Sequence, residues 1–257
     1  MELFDSHLHL EDRAFDPDRE QVLARARAAG VVGMVTVGSD VPSSAAAVSL
    51  ADRHPDVYAA VAVHPQEAEQ VTAETMDELR RLAAHPKVVA VGETGLDYVR
   101  GPDREIQRRA FRRHLRLAAE LSLPAVVHCR EAFGDVLDIL GEWKSVRAVL
   151  HAFSGSTEFA RRCVQAGYVI SLGGPVTYRN ARQVLEVARC VPAEALLLET
   201  DAPVLTPEPF RGRRNEPAYL VPIAARLAAL RGVTAEEIAG VTTENARKVF
   251  RLGCSGG

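Results

Sequence analysis

Near its start the chain carries Leu3-Phe4-Asp5-Ser6-His7-Leu8-His9, a short apolar run that ends in two histidines. A run of this length, bounded by polar residues, predicts a β-strand. A pattern with helical spacing follows it at Asp18–Ala29. The same pair of patterns, a strand and then a helix, recurs along the rest of the sequence, and this repetition determines the predicted fold.

Eight strands are predicted, at Leu3–His7, Val31–Val37, Val57–Val63, Val88–Gly92, Ala125–His128, Ala148–His151, Tyr168–Ser171 and Ala195–Leu198. Nine helices are predicted, at Asp18–Ala29, Ser43–Arg53, Glu74–Ala84, Arg104–Leu121, Ala132–Gly141, Glu158–Ala166, Asn180–Ala188, Glu216–Arg231 and Ala235–Phe250. Apolar strands flanked by helices are typical of a parallel sheet covered on both faces. Eight alternations favour a (β/α)8 TIM barrel over an open sheet, with residues 1–257 forming a single domain.

The composition excludes several classes of protein. Of the 257 residues, 47% are hydrophobic and 25% are charged, which is ordinary for a globular protein and excludes disorder. With 31 Lys and Arg against 34 Asp and Glu, the formal net charge is −3, which excludes nucleic-acid binding by bulk positive charge. No apolar run is long enough to span a bilayer, and the acidic Glu2 and Asp5 argue against a secretory signal.

The four cysteines, Cys129, Cys163, Cys190 and Cys254, are scattered and form no CxxC pair. This spacing predicts free thiols in a reducing cytoplasm and neither a disulfide framework nor a zinc ribbon. Nothing in the sequence indicates an obligate protein partner.

The polar residues that matter for chemistry fall at the ends of the predicted strands. Histidine or carboxylate side chains stand at the carboxyl ends of five strands, namely His7, His9, Glu93, His128, His151 and Asp201. In a barrel these ends share one face, on which barrel active sites are built. We therefore expect a functional site at the C-terminal face of the strands.

These six side chains have the chemistry of metal ligands. His7 and His9 are two residues apart on a strand, so their imidazoles point to the same side. One such histidine alone is equally well explained as a hydrogen-bonded core residue, but six residues on one face favour a site. Four histidines and two carboxylates exceed what one tetrahedral ion needs and suit two divalent ions. Mixed nitrogen and oxygen ligands accept Mg²⁺, Mn²⁺ or Zn²⁺.

The bridging ligand between two such ions is predicted to be Glu93. Many metal-dependent barrel hydrolases use a carbamylated lysine for this purpose, but none of the three lysines, Lys87, Lys144 and Lys248, ends a predicted strand. A carboxylate at a strand end can bridge two ions in its place.

Three further polar residues receive predictions from their positions. His64 follows the third strand on the predicted active face, and we expect it to contact the substrate. His114 lies in an arginine-rich helix and is expected to be solvated. Asp97 can either fix its own loop or touch the substrate.

Seven motifs, in order along the chain, resemble the TatD family of metal-dependent hydrolases and deoxyribonucleases. They are Asp5–His9, Gly92–Tyr98, His128–Glu131, His151–Ser156, Glu199–Pro203, Arg211–Pro217 and Thr242–Ala246. The resemblance runs from residue 5 to about residue 250. Two positions depart from the family pattern, since Val99 replaces a usual aromatic residue and Gln66 replaces the second histidine of a His-Pro-His segment.

The resemblance implies a barrel of the amidohydrolase-like superfamily with a divalent-metal site at the same six residues. It also implies a deoxyribonuclease that acts on phosphodiester bonds as an exonuclease from the 3′ side. In this hypothesis His7, His9 and Asp201 bind one ion, His128 and His151 bind the other, and Glu93 bridges. Asp201 also accepts the proton of the attacking water.

Substrate phosphates need cations beside such a centre. Arg130 lies two residues after His128, the last residue of the predicted fifth strand, and the loop after the eighth strand carries Arg211 and Asn215. Arginine matches phosphate oxygens with a bidentate fork. We therefore expect Arg130, Arg211 and Asn215 to contact DNA ends or single strands.

Two other functions stay open at this stage. The same ligands could hydrolyse an ester or amide, such as a misacylated aminoacyl-tRNA or a small metabolite, because activated water attacks carbon as well as phosphorus. The protein could also be a binding module without turnover. The absence of one of the six candidate metal ligands would indicate such a module, but all six are present in the sequence.

Overall fold

The computed structural model describes residues 1–252 of the chain. Its eight strands are β1 (Leu3–Leu8), β2 (Val31–Val37), β3 (Val57–Val61), β4 (Val88–Asp97), β5 (Ala125–Arg130), β6 (Ala148–Leu150), β7 (Val169–Leu172) and β8 (Leu196–Leu198). They form one sheet in the order β1 to β8, and β3–β4, β4–β5, β5–β6 and β7–β8 pair in parallel. This strand order confirms the predicted (β/α)8 TIM-barrel fold class.

The described residues form nine α-helices. They are α1 (Arg19–Ala28), α2 (Val41–Arg53), α3 (Ala73–Ala83), α4 (Arg104–Leu121), α5 (Phe133–Gly141), α6 (Thr157–Gln165), α7 (Arg182–Cys190), α8 (Leu220–Arg231) and α9 (Ala235–Val249). Every predicted strand and helix is present. Short 3₁₀ turns at Arg13–Phe15, Pro65–Gln70, Gly174–Thr177, Ala193–Ala195 and Pro217–Tyr219 were not predicted.

Several helices begin where a side chain can satisfy their first free amide groups. Asp40 accepts from Ser43 N at the start of α2, and Thr234 accepts from Glu237 N at the start of α9. In both helices the third residue also bonds back to the cap, which completes a capping box. Asp103 caps α4 in a similar way through Glu105 N and Ile106 N.

Strand β4 is longer than predicted and carries an irregularity. It continues from Gly92 to Asp97, and its register against β5 shifts between Val91 and Thr94. Gly95 has φ +136°, and a β-carbon there would lie 2.1 Å from the carbonyl oxygen of His128, so only glycine allows β4 to approach β5 this closely. The irregularity places Glu93 within a fully buried strand, and such bulges frequently re-aim a side chain next to a functional site.

The prediction for His114 is wrong. The side chain is fully buried on the inner face of α4 with Phe111, Leu115 and Ala118. Its Nε2 accepts a hydrogen bond from Val63 N at 3.1 Å, and its Nδ1 lies 2.8 Å from Ala110 O. Burial lowers the pKa of His114 to about 4, so the imidazole is neutral in the fold.

The chain divides into two compact units. One contains Met1–Val35 and the described residues from Ala152 to Leu252, and its core includes Leu3, Ile170 and Leu198. The other contains Thr36–His151, and Val91 and Val127 are fully buried within it. The prediction of a single domain over residues 1–257 stays a prediction, and Cys254 lies outside the described residues.

Among the described residues, no single helix has both the length and the apolar character that crossing a membrane requires. Only the last two helical segments taken together, Pro217–Arg231 and Ala235–Val249, reach those limits, and they are bent by 110° at their junction.

Candidate metal centre

The first group of candidate ligands consists of His7, His9 and Asp201. Nε2 of His7 lies 3.4 Å from Nε2 of His9. Oδ1 of Asp201 lies 3.7 Å from the first of these nitrogens and 3.6 Å from the second. His7 and Asp201 are buried, while His9 is partly exposed. One ligand atom from each residue lies within 4.8 Å of the other two, a spacing that one cation can bridge.

The backbone of β1 and β8 places these three side chains together. Asp201 N donates to His7 O at 2.9 Å, and His9 N donates to Ala202 O at 2.8 Å. Asp201 itself has φ +56°, in the left-handed region that few residues other than glycine, asparagine and aspartate adopt readily. This backbone conformation sets the direction in which the Asp201 side chain leaves the backbone.

A buried carboxylate, Asp5, braces the same two strands. Its Oδ1 accepts from Thr200 N at 2.9 Å and from His7 N at 3.4 Å, and its Oδ2 accepts from Thr200 Oγ1 at 2.6 Å. Asp5 therefore connects the residue before Asp201 to the backbone of His7. The bracing orients ligands without Asp5 being one of them.

The second group of candidate ligands surrounds one oxygen of Glu93. Oε1 of Glu93 lies 2.7 Å from His128 Nδ1, 2.7 Å from His151 Nε2 and 3.2 Å from His64 Nε2. His128 Nδ1 and His151 Nε2 are 3.3 Å apart. Three imidazole nitrogens therefore converge on a single carboxylate oxygen.

The charge state of Glu93 suits a cation. Burial raises the pKa of this carboxyl, but His151 and His64 and the hydrogen bonds from His128 and His151 outweigh burial and hold the pKa well below its usual range. A charged, buried carboxylate among imidazole nitrogens is a donor set that a divalent ion satisfies well. The residues of both groups thus fit the metal that the sequence predicts.

His128 is held from its far side by Asp97. Oδ2 of Asp97 lies 3.4 Å from His128 Nε2 and accepts from Gln66 Nε2 at 2.9 Å, while Oδ1 accepts from Val99 N and Arg100 N, each at 2.9 Å. Burial lowers the pKa of His128, but Asp97 and Glu93 outweigh it and raise the pKa to about 9. Asp97 therefore both fixes its own loop and orients a candidate ligand.

The six predicted ligands thus fall into two groups, one in each compact unit. His7, His9 and Asp201 lie together, as do Glu93, His128 and His151. The structure adds His64, which was expected to contact substrate and lies among the ligands of the second group. Its Nδ1 accepts from Gln66 N at 3.2 Å, which leaves Nε2 directed at Glu93.

The three predicted phosphate contacts have different surroundings. Arg130 ends β5 with an exposed side chain. Arg211 is exposed, and its guanidinium lies 4.0 Å from the centre of the Tyr178 ring. Asn215 is fully buried, and its Nδ2 donates to Thr200 O at 2.8 Å and to Val204 O at 2.7 Å. Because both amide hydrogens are engaged, Asn215 holds the loop after β8 and does not face solvent as a substrate contact would.

Sequence reasoning missed two residues that position the ligands, Asp5 and Gln66. Asp5 stands on a strand that is otherwise apolar at its start, and a buried acid in such a run is a signal for an engaged carboxylate. Gln66 carries no comparable signal, because its partner Asp97 is 31 residues away along the chain.

Comparison with known proteins gives a consistent set of relatives. Residues 4–251 match the model of a family described as TatD related DNase. The chain is 44% identical over 254 residues to the uncharacterized metal-dependent hydrolase YabD of Bacillus subtilis, covering 97% of this chain and 99% of that protein. It is 43% identical over 259 residues to the 3′-5′ ssDNA/RNA exonuclease TatD of Erwinia tasmaniensis, covering 97% of this chain and 100% of that protein.

A solved structure is similar over nearly the whole chain. The TatD homolog YJJV of Escherichia coli K12 superimposes with a TM-score of 0.91 at 33% sequence identity, and the match covers 98% of each chain. An amidohydrolase of Saccharomyces cerevisiae, described as uncharacterized, shares the fold with a TM-score of 0.86 at 21% identity over 97% of this chain and 99% of that one.

Proposed function

The chain belongs to the TatD family of metal-dependent hydrolases, and we propose that it is a nuclease that removes nucleotides from the 3′ ends of single-stranded DNA. The observation that carries the proposal is the convergence of three imidazole nitrogens on Oε1 of the charged Glu93. The names of relatives such as the exonuclease from Erwinia tasmaniensis support the substrate and the direction.

We propose that the chain uses two divalent ions, Mg²⁺, Mn²⁺ or Zn²⁺. His7, His9 and Asp201 would hold one, and Glu93, His128 and His151 would hold the other. When bound, such ions neutralise phosphate charge and acidify water. Each of these residues offers a nitrogen or a carboxylate oxygen that lies close to the ligand atoms of its own group.

The remaining steps belong to the side chains of the chain itself. Oδ1 of Asp201 faces the nitrogens of His7 and His9, and the other oxygen of this carboxylate is proposed to accept the proton of the attacking water. Asp97 holds the ring of His128 in one orientation. The ring is therefore already oriented before the substrate binds. Arg130 is proposed to contact a substrate phosphate.

The net charge of −3 fits an enzyme that acts on ends. Such a chain holds nucleic acid weakly away from its site, because non-specific binding depends on positive surface charge. We also propose that the protein works in a reducing cytoplasm, because its cysteines are scattered in the sequence and form no CxxC pair.

The test is cleavage of single-stranded DNA labelled at either end, with Mg²⁺, Mn²⁺ or Zn²⁺ added. We expect a ladder of shortened products from 5′-labelled DNA and early release of the label from 3′-labelled DNA. Glu93→Gln should abolish both, whereas Glu158→Gln, which changes an exposed acid on α6, should not. Hydrolysis of esters or aminoacyl-tRNA without any cleavage of DNA or RNA would overturn the proposal in favour of an esterase, and no turnover at all would favour a binding module.

A further inference from the structure

The loop after β8 contains several arginines, and Arg211 differs from the others in its surroundings. Arg211 lies over the ring of Tyr178, with 4.0 Å between Cζ and the centre of the ring. Within residues 1–252, Arg211 has no ion-pair partner, whereas Arg214 of the same loop is paired with Asp18 at 2.7 Å. A guanidinium stacked by its face keeps the N–H groups of its edge available for an anion.

The platform under Arg211 is itself fixed. Tyr178 Oη donates to Thr206 O at 3.0 Å, which ties the ring to the loop after β8. Thr206 Oγ1 donates in turn to Arg213 O at 2.7 Å, and Glu208 N donates to Thr177 Oγ1 at 2.9 Å. The ring that Arg211 contacts is therefore held in place before any ligand binds, and a contact surface that is already fixed lowers the entropy that binding costs.

The base of the loop is anchored beside a candidate metal ligand. Asn215 Nδ2 donates to both Thr200 O and Val204 O. These two carbonyl groups enclose residues 201–203, the first of which is Asp201. Burial raises the pKa of Tyr178, Arg211 opposes the rise, and the carboxylates of Glu208 and Asp201 add to it. The Tyr178 ring thus lies within electrostatic reach of Asp201.

We propose that Arg211, held on Tyr178, is a preorganised binding site for a phosphate group of the substrate strand. The ligand is a phosphodiester anion bound by the free edge of the guanidinium, and Tyr178 is a positioning residue that acts through Arg211. This inference rests on the proposed nuclease function, since it assigns one substrate contact of that activity. It also separates Arg211 from Arg213, an exposed arginine two residues away that lies over no aromatic ring of residues 1–252.

The test measures binding and cleavage separately in matched variants. Binding of a fluorescein-labelled thymidine oligonucleotide is followed by anisotropy in EDTA, which prevents turnover. We expect Arg211→Ala to weaken binding about tenfold, the loss of one charge-assisted contact. Arg211→Lys should not restore it, because lysine lacks the planar fork. Arg213→Ala, which removes the same charge from the same loop, should change binding less than about twofold.

Substitutions at Tyr178 test the platform. Tyr178→Phe keeps the stacked ring and should bind nearly as the unaltered protein, whereas Tyr178→Leu should weaken binding about threefold or more. Equal effects of Arg211→Ala and Arg213→Ala, or no effect of either, would overturn the inference. If the protein binds DNA through Arg211 yet cleaves no DNA when metal is added, the binding site stands and the nuclease proposal fails. Cleavage that proceeds with unaltered binding in Arg211→Ala would instead overturn the binding site alone.

Discussion

Oδ2 of Asp97 lies 3.4 Å from Nε2 of His128, while Nδ1 of the same ring lies 2.7 Å from Oε1 of Glu93. The imidazole is therefore held by a carboxylate at each of its two nitrogens. If a cation replaces the proton on Nδ1, a proton kept on Nε2 would still face Asp97, and the Nδ1 lone pair would bind the cation.

Removing the charge of Asp97 should weaken metal binding. Asp97→Asn keeps an oxygen for Val99 N and Arg100 N, but the group that faces His128 Nε2 becomes an amide NH2, which cannot accept a hydrogen bond. We expect metal affinity to fall about 10- to 100-fold, as measured by competition with a chelator. Asp77→Asn, which alters an exposed carboxylate on α3, is the control and should leave affinity unchanged. Equal affinity in both variants would show that His128 needs no such support.

Metal should stabilise the fold, and the ligands should be needed for this. At a free Mn²⁺ concentration 100 times its dissociation constant, the free energy of unfolding should rise by about 2.7 kcal/mol for one site. The rise in melting temperature after EDTA-treated protein is reloaded measures it. His9→Ala and Glu93→Gln should each lose part of the rise, and a full rise in both would exclude these residues as ligands.

The hydroxyl group of Thr200 should contribute more to the free energy of unfolding than its methyl group does. Thr200→Val removes the donor 2.6 Å from Asp5 Oδ2 and leaves a fully buried carboxylate oxygen without it. The free energy of unfolding should fall by about 1–3 kcal/mol in denaturant titrations. Thr200→Ser retains the hydroxyl and should keep most of the stability. A serine variant as unstable as the valine variant would contradict the role of this hydrogen bond.

His114 should make stability sensitive to acid. Its folded pKa of about 4 lies below its ordinary value of 6.5, so below pH 6.5 the unfolded chain takes up a proton that the folded chain does not. The free energy of unfolding should therefore fall as pH decreases from 6.5 to 4, by about 3 kcal/mol from this group, and should not change from it above pH 7. His114→Gln cannot titrate and should lose that part of the slope. Parallel stability curves for the two proteins would refute the assignment.

Gly174 should be required for the loop that carries Arg211. A β-carbon at Gly174 would lie 1.8 Å from the carbonyl oxygen of Leu205, so Gly174→Ala forces the loop after β8 to move. We expect a loss of about 1–3 kcal/mol in the free energy of unfolding and weaker oligonucleotide binding. Gly240→Ala in α9 meets no atom within 4 Å and should instead stabilise by about 0.5–1 kcal/mol. Similar losses in both variants would contradict this account.

The fold class could be predicted from the sequence because it depends on short-range pattern, and the same pattern indicated where candidate ligands stand. Apolar runs followed by helical spacing identify the elements, and polar residues at strand ends such as His7 and His128 identify candidate ligands. The extension of β4 to Asp97 was missed because Gly92 and Gly95 interrupt the apolar run in the sequence. Glycine breaks the pattern of a strand, yet here close approach to β5 requires it.

The remaining errors concern contacts between residues far apart in the chain. His114 was expected in solvent because arginines surround it in sequence, but its helical spacing with Phe111 and Ala118 places it on the buried face. Asn215 was expected to face substrate, and its amide instead holds Thr200 and Val204. In each case the side chain bonds to a backbone group. Every residue has a backbone, so the sequence does not show which backbone group a side chain will contact.

The left-handed backbone of Asp201 has a consequence for how this chain could evolve. Asparagine and glycine can adopt φ +56° at this position but supply no carboxylate, and glutamate supplies one at greater backbone strain. Aspartate is therefore specified twice over, by conformation and by chemistry. A lineage that changes its metal preference therefore has little freedom at this position.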